Sequence, residues 1–256
     1  GGRDLTLNTT GHAIFMAPVG GATAIGDGTG AAITINSTGD TLFAGIVRTA
    51  SGIVQSVGAG EVEFLADVTV LGAGTASTFN EDVVLGGLTF TTAGSLFFGT
   101  DNTDLVRLAD GTVTLTVAGG LTVESQVVGP QDLVLNVTGA SVFNGPVGDL
   151  TTGGYGPLGS GAATNSITIN STGATTFNDT VTTVSGLLQA GGAGLVTFRE
   201  NVLVGGGLAS VFNANVTLDG MTFLSGSNVT FGDTVDADTL TITSAGPVTI
   251  STTPNN

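Results

Sequence analysis

Asp4-Leu5-Thr6-Leu7-Asn8-Thr9-Thr10-Gly11 returns 128 residues later as Asp132-Leu133-Val134-Leu135-Asn136-Val137-Thr138-Gly139, and the two copies run on to Phe15 and Phe143. Ile33-Thr34-Ile35-Asn36-Ser37-Thr38-Gly39, closing at Phe43, returns as Ile167-Thr168-Ile169-Asn170-Ser171-Thr172-Gly173, closing at Phe177, at an offset of 134. Downstream, Phe64, Phe79, Phe90 and Phe98 recur as Phe198, Phe212, Phe223 and Phe231 at offsets of 133 or 134. The chain is two copies of one unit, residues 1–131 and 132–256. Repetition on this scale decides the fold class before any single element does.

A shorter motif runs through each copy. Phe followed four residues later by Val starts at nine of the thirteen phenylalanines: Phe15, Phe43, Phe64, Phe79, Phe143, Phe177, Phe198, Phe212 and Phe231. The spacings are 28, 21, 15 and 19 from Phe15, and 34, 21, 14 and 19 from Phe143. A repeat of about twenty residues cannot bury an apolar face alone, so successive repeats must stack into a shared core. Leu-Thr-Leu (5–7), Ile-Thr-Ile (33–35), Val-Thr-Leu-Thr-Val (113–117) and Leu-Thr-Ile (240–242) alternate apolar residues with threonine, the period-two sign of half-buried strands. Glycine and Asn/Asp-rich bends separate them.

These features predict an all-β parallel β-helix, a solenoid of about twelve coils in which both copies form one continuous body. Coils of such varying length suit a right-handed β-helix. Phe and Val are expected to point inward on either side of a corner, with the phenylalanines stacked as a ladder. At about 4.8 Å per coil the rod measures roughly 60 Å. Two tandem β-sandwich domains also explain the large duplication, but not the finer rhythm.

The composition limits the partners. Of 256 residues only 9% are charged, while 41% are hydrophobic and 43 are glycine, so the chain has ample material for a core. Lysine is absent, and Arg3, Arg48, Arg107 and Arg199 face 20 carboxylates for a net charge of −16. That balance argues against a nucleic-acid or anionic-membrane partner. Cysteine and tryptophan are absent, and no apolar run reaches the roughly 18 residues of a membrane-spanning helix. Lack of cysteine fits an exported repeat protein.

Leu-Thr-Leu-Asn-Thr-Thr-Gly (5–11), Ile-Thr-Ile-Asn-Ser-Thr-Gly (33–39 and 167–173) and the recurring Phe-x3-Val resemble the Gly/Thr/Asn-rich repeats of giant bacterial surface proteins, the filamentous-haemagglutinin-like and autotransporter adhesins. The resemblance implies an extracellular, surface-displayed protein whose work is adhesion or scaffolding, as in a biofilm matrix, with surface glycans as candidate partners. It carries no catalytic residue across. Gly2-Arg3-Asp4-Leu5 resembles Pro130-Gln131-Asp132-Leu133 at the internal boundary. From that phasing the units are expected to continue covalently or to self-associate end to end.

Candidate sites are few. His12 has no second histidine or cysteine to share a metal and reads as a bend residue. Asn8, Asn36, Asn136 and Asn170 lie in Asn-x-Thr-Gly sequences that match a glycosylation acceptor, but a ladder of amides bonded between coils explains their spacing without extra machinery. The glycine strings at 26–30 and 205–207 have no lysine and no helix to hold a phosphate. Asp233, Asp236 and Asp238 after Phe231, with Asp101 and Asp104 at the matching place after Phe98, are oxygen ligands suited to calcium, though the calcium-roll glycine pattern is missing. A sugar-cleaving enzyme, the rival from another class, needs a carboxylate pair or a basic residue beside aromatic platforms; Tyr155 is the only tyrosine. No cofactor is expected beyond calcium. Threonine shows no fixed place in every coil, which argues against an ice-binding array.

Overall fold

A computed structural model describes residues 2–148, 155–161, 163–237 and 239–251. The described residues are all-β, with 31 strands and no helix; no helix is long and apolar enough to cross a membrane. Most strands are three residues long and bury their first and third side chains, as in Ile33–Ile35 and Val62–Phe64. A three-residue strand with apolar ends and a polar centre has one inward face and one outward side chain, which is what stacking coils require.

The strands form a three-sided parallel solenoid. The first face has eleven strands, from Leu5–Leu7 to Val235–Asp236. The second has six, from Ala13–Phe15 to Gln126–Val128, and four more, from Val181–Thr183 to Leu240–Ser244; Val147 bridges Val127 and Val181 and joins the two sets. The third has ten, from Val47–Thr49 to Val248–Ile250. The longest ladder thus has eleven rungs where the rhythm predicts about twelve coils, a rod of roughly 50 Å at about 4.8 Å per rung. Backbone bonds run from coil to coil: the Thr41 amide donates to the Glu61 carbonyl at 2.8 Å, and Val62 to Asp82 at 3.0 Å. The strand Leu133–Val137 pairs with Val113–Val117, so the ladder crosses the copy boundary unbroken.

Phe-x3-Val is the corner, as expected. Phe43 ends a second-face strand and Val47 begins the third; Phe177 ends a first-face strand and Val181 begins the second. The single phenylalanine ladder is corrected. Phe15, Phe43 and Phe64 stack on the second face at 4.9 and 5.1 Å, and the column then turns a corner through an edge-on contact to Phe79 at 5.7 Å and continues on the first face to Phe98 at 5.4 Å. In the second copy Phe143, Phe177 and Phe198 stack on the first face at 4.9 and 5.1 Å, turn edge-on to Phe212 at 6.0 Å, and continue on the third face to Phe231 at 5.2 Å. Strand spacing sets the parallel stacks, and the edge-on pairs are the other favoured aromatic geometry.

The copies are therefore related by a rotation. Counting the single-residue bridges at Val19 and Val147 as strand positions, equivalent strands lie seventeen positions apart, or five and two-thirds turns. Every element of the second copy lies one face away from its counterpart. Gln55 and Gln189, both fully buried, obey the same rule: each donates Nε2 to a corner carbonyl, Gly60 at 2.7 Å and Gly194 at 2.8 Å, one beside the first face and one beside the third.

Corner glycines stack in the same two places. Gly11, Gly39 and Gly60 line the corner between the first and second faces; Gly119, Gly139, Gly173 and Gly194 line the corner between the third and first. A Cβ on Gly139 lies 2.6 Å from the Gly119 carbonyl oxygen, so close approach of successive coils selects glycine there. Gly20 and Gly148, with φ of 81° and 71°, open the two long loops where a side chain strikes a carbonyl of the next coil.

Candidate functional site

The first face presents the most regular surface. Its outward column runs Thr6, Thr34, Val54, Thr78, Phe97, Thr122, Val142, Thr176, Thr197, Thr217 and Asp236, each in register with the next. Threonine holds seven of these eleven places. Val54, Phe97, Val142 and Asp236 fill the other four, so no place is threonine in every coil; spacings from 19 residues (Thr78 to Phe97) to 34 (Val142 to Thr176) hide the column in the sequence. Beside this column lies a line of amides. Asn36 donates Nδ2 to Asn8 Oδ1 at 2.8 Å and accepts from Ser56 Oγ; Asn144 donates to Glu124 Oε1 at 2.9 Å, and Asn178 to Asn144 Oδ1 at 2.5 Å. The asparagine ladder is thus real but divided. Asn170 donates to Asn136 at 3.0 Å on the third face, one face from its counterpart pair.

The acidic bends stabilise turns. Asp101 Oδ1 accepts from the Thr103 amide at 2.8 Å and its hydroxyl at 2.6 Å, and Asp104 Oδ2 accepts from the Thr100 amide at 2.8 Å and hydroxyl at 3.2 Å. The Thr103 hydroxyl, then its amide, hold the exposed Asp101 carboxyl below the ordinary range. A lowered carboxylate favours the fold above its ordinary pKa, and the benefit fades as pH falls through the lower folded value. Asp233 accepts from the Thr234 amide at 2.8 Å, Asp236 is exposed, and Asp238 lies outside the described residues. Among the described residues no three His, Cys, Asp or Glu side chains gather as a metal site. With Asp101 and Asp104 committed to amides and hydroxyls, removing calcium with EDTA is expected to leave the melting temperature unchanged; a drop of several degrees in a calcium-loaded sample overturns this.

Other charged groups are peripheral. His12 Nδ1 lies 3.3 Å from Asp40 Oδ2 with both side chains exposed, in keeping with a bend residue. Arg107 pairs with Glu61 at 3.5 Å; burial raises the Glu61 pKa and the arginine partly offsets it.

Asp132 was not singled out by its sequence. It is buried and accepts from the Ser160 amide at 2.8 Å, the Ser160 hydroxyl at 2.6 Å and the Thr164 hydroxyl at 2.7 Å, fastening the second long loop to the third face. It reads as an ordinary strand-leading aspartate because its donors lie 28 and 32 residues away. Asp132→Ala is expected to cost about 1–3 kcal/mol by denaturant unfolding and to speed exchange of the Ser160 amide; unchanged protection at Ser160 contradicts the clamp.

Comparison with family models, with curated proteins and with solved structures finds no match for this chain.

Proposed function

We propose that this chain is a non-catalytic structural segment of a secreted bacterial filament or giant surface adhesin, acting as a stiff spacer and scaffold outside the cell. The observation that carries the reading is the ladder of eleven rungs running unbroken through both copies, with a core of stacked phenylalanine and aliphatic residues along its length. A parallel ladder with a continuous apolar core resists bending because each coil is bonded to two neighbours. The likeness of the Asn-x-Thr-Gly and Phe-x3-Val sequences to adhesin repeats supports secretion. The low charge, absence of lysine and net charge of −16 fit an extracellular polymer better than a nucleic-acid or membrane binder.

Immunogold labelling of intact cells of the native source tests this reading. Label on extracellular or surface fibres is expected; label confined to the cytosol contradicts it. The threonine and asparagine columns of the first face favour a second reading, in which that face binds surface polysaccharide through repeated hydroxyl and amide contacts. Retardation in gels containing such polysaccharide, weakened by Asn36→Ala with Asn178→Ala, supports binding; equal mobility with and without polysaccharide removes it.

A further inference from the structure

Among the described residues one side chain other than glycine sits on a left-handed backbone: Asp110, with φ of 56°. It is exposed, in the bend between the second-face strand Leu105–Ala109 and the third-face strand Val113–Val117. In that conformation Cβ is crowded against the following carbonyl oxygen, a strain most side chains avoid. Gly111 follows with φ of 144°. Its amide has no acceptor among the described residues, and the lack of a Cβ leaves the approach to its nitrogen open.

Three further sites share the Asp-Gly or Asn-Gly sequence that lets a backbone nitrogen attack the preceding side chain: Asp27-Gly28, Asn144-Gly145 and Asp219-Gly220. Asp27 Oδ1 is held by the Thr29 hydroxyl at 2.7 Å and amide at 2.8 Å, which keep its carboxyl below the ordinary range and ionised. The ionised form has no hydroxyl to lose as water. Asn144 is clamped at both ends of its amide, donating to Glu124 and accepting from Asn178. Asp219 has no left-handed strain to release.

We propose that Asp110-Gly111 is a modification site at which the strained backbone drives spontaneous isoaspartate formation. The Gly111 nitrogen bonds to Asp110 Cγ, and its proton leaves with the carboxyl hydroxyl as water. Ring closure turns the Asp110 carbonyl away from Cβ, so the strain is released as the reaction proceeds. Water then opens the succinimide at the carbonyl attached to Cα. The main chain now runs through Cβ and Cγ, the former backbone carbonyl carbon becomes a carboxylate, and the one water lost is regained. Gly87 of the neighbouring coil packs on this peptide so closely that a Cβ there lies 2.8 Å from the Asp110 carbonyl oxygen. A main chain longer by one methylene disturbs that contact and the nearby bond from the Thr114 amide to the Leu88 carbonyl at 2.9 Å. This goes beyond the spacer reading and does not depend on it.

The intact chain is aged in neutral buffer and digested, and its isomeric peptides are separated by chromatography and assigned by electron-transfer mass spectrometry. Isoaspartate is expected to accumulate at Asp110 several-fold faster than at Asp27 or Asp219. Glycine follows all three, so in chain unfolded by urea their rates are expected to converge. Equal rates in the folded chain overturn the proposal, and so does a lead at Asp110 that persists in urea. In the aged fraction the Thr114 amide is expected to exchange its hydrogen several-fold faster; unchanged protection there overturns the loosening of the corner.

Discussion

Phe177→Ala is expected to lower the unfolding free energy by about 3–5 kcal/mol. Phe177 is 1% exposed and lies between Phe143 and Phe198, with ring centroids 4.9 and 5.1 Å away. Truncation removes both stacking contacts and leaves a void that a short-stranded coil cannot collapse into, because the backbone ladder fixes the spacing of the flanking coils. Phe97 provides the contrast. It points outward on the first face and is 38% exposed, so Phe97→Ala is expected to change stability by only about 0.5 kcal/mol. Denaturant unfolding of both variants measures the difference; equal losses contradict the assignment of inward and outward positions.

Gly139→Ala is the second large effect, and it works through crowding. Gly139 lies midway in a corner column, its hypothetical Cβ 2.6 Å from the Gly119 carbonyl oxygen, and a Cβ on Gly173 in the next coil meets the Gly139 carbonyl closer still. The obstructing atoms are backbone, so a methyl group can be housed only by prying two coils apart and weakening bonds such as that from the Gly139 amide to the Gly119 carbonyl at 3.1 Å. About 3 kcal/mol is expected, at the upper end of ordinary overpacking. Gly191→Ala, at a bend where a Cβ meets nothing within 4 Å, is the control and is expected to be nearly neutral. Thermal melts of the two proteins decide it, and similar melting temperatures contradict the close stacking of the corner.

The solenoid was legible in the sequence because a period-two pattern in pieces of three residues, closed by glycine and repeated about every twenty residues, has few other ways to bury its apolar side chains. The corner role of Phe-x3-Val was legible for the same reason. What escaped was the path of the phenylalanines around the rod. The shortest full turn takes 19 residues, as from Phe79 to Phe98, so the 15 residues from Phe64 to Phe79 and the 14 from Phe198 to Phe212 are two-thirds of a turn, and the column moves to another face at those steps. The spacing carried that signal, but only once three faces are known can it be read. The rotation also scattered the threonines. Thr34 and its counterpart Thr168 lie on the first and third faces, so a column that is regular in space is irregular when the copies are aligned. Asp132 was invisible for a different reason: its hydrogen-bond donors come from a loop that has no fixed length between copies, 28 residues separating Phe15 from Phe43 and 34 separating Phe143 from Phe177.

The central claim is that two copies wind on one three-faced rod with the second turned by one face. Thiol bridging across the copy boundary tests it most directly, using a reagent that fluoresces only when it joins two cysteines. Thr122 and Val142 belong to different copies and are outward neighbours on the first face; Thr122 and Thr168 lie on different faces. Fluorescence is expected from Thr122→Cys with Val142→Cys and none from Thr122→Cys with Thr168→Cys. No signal from the first pair, or equal signal from both, contradicts it.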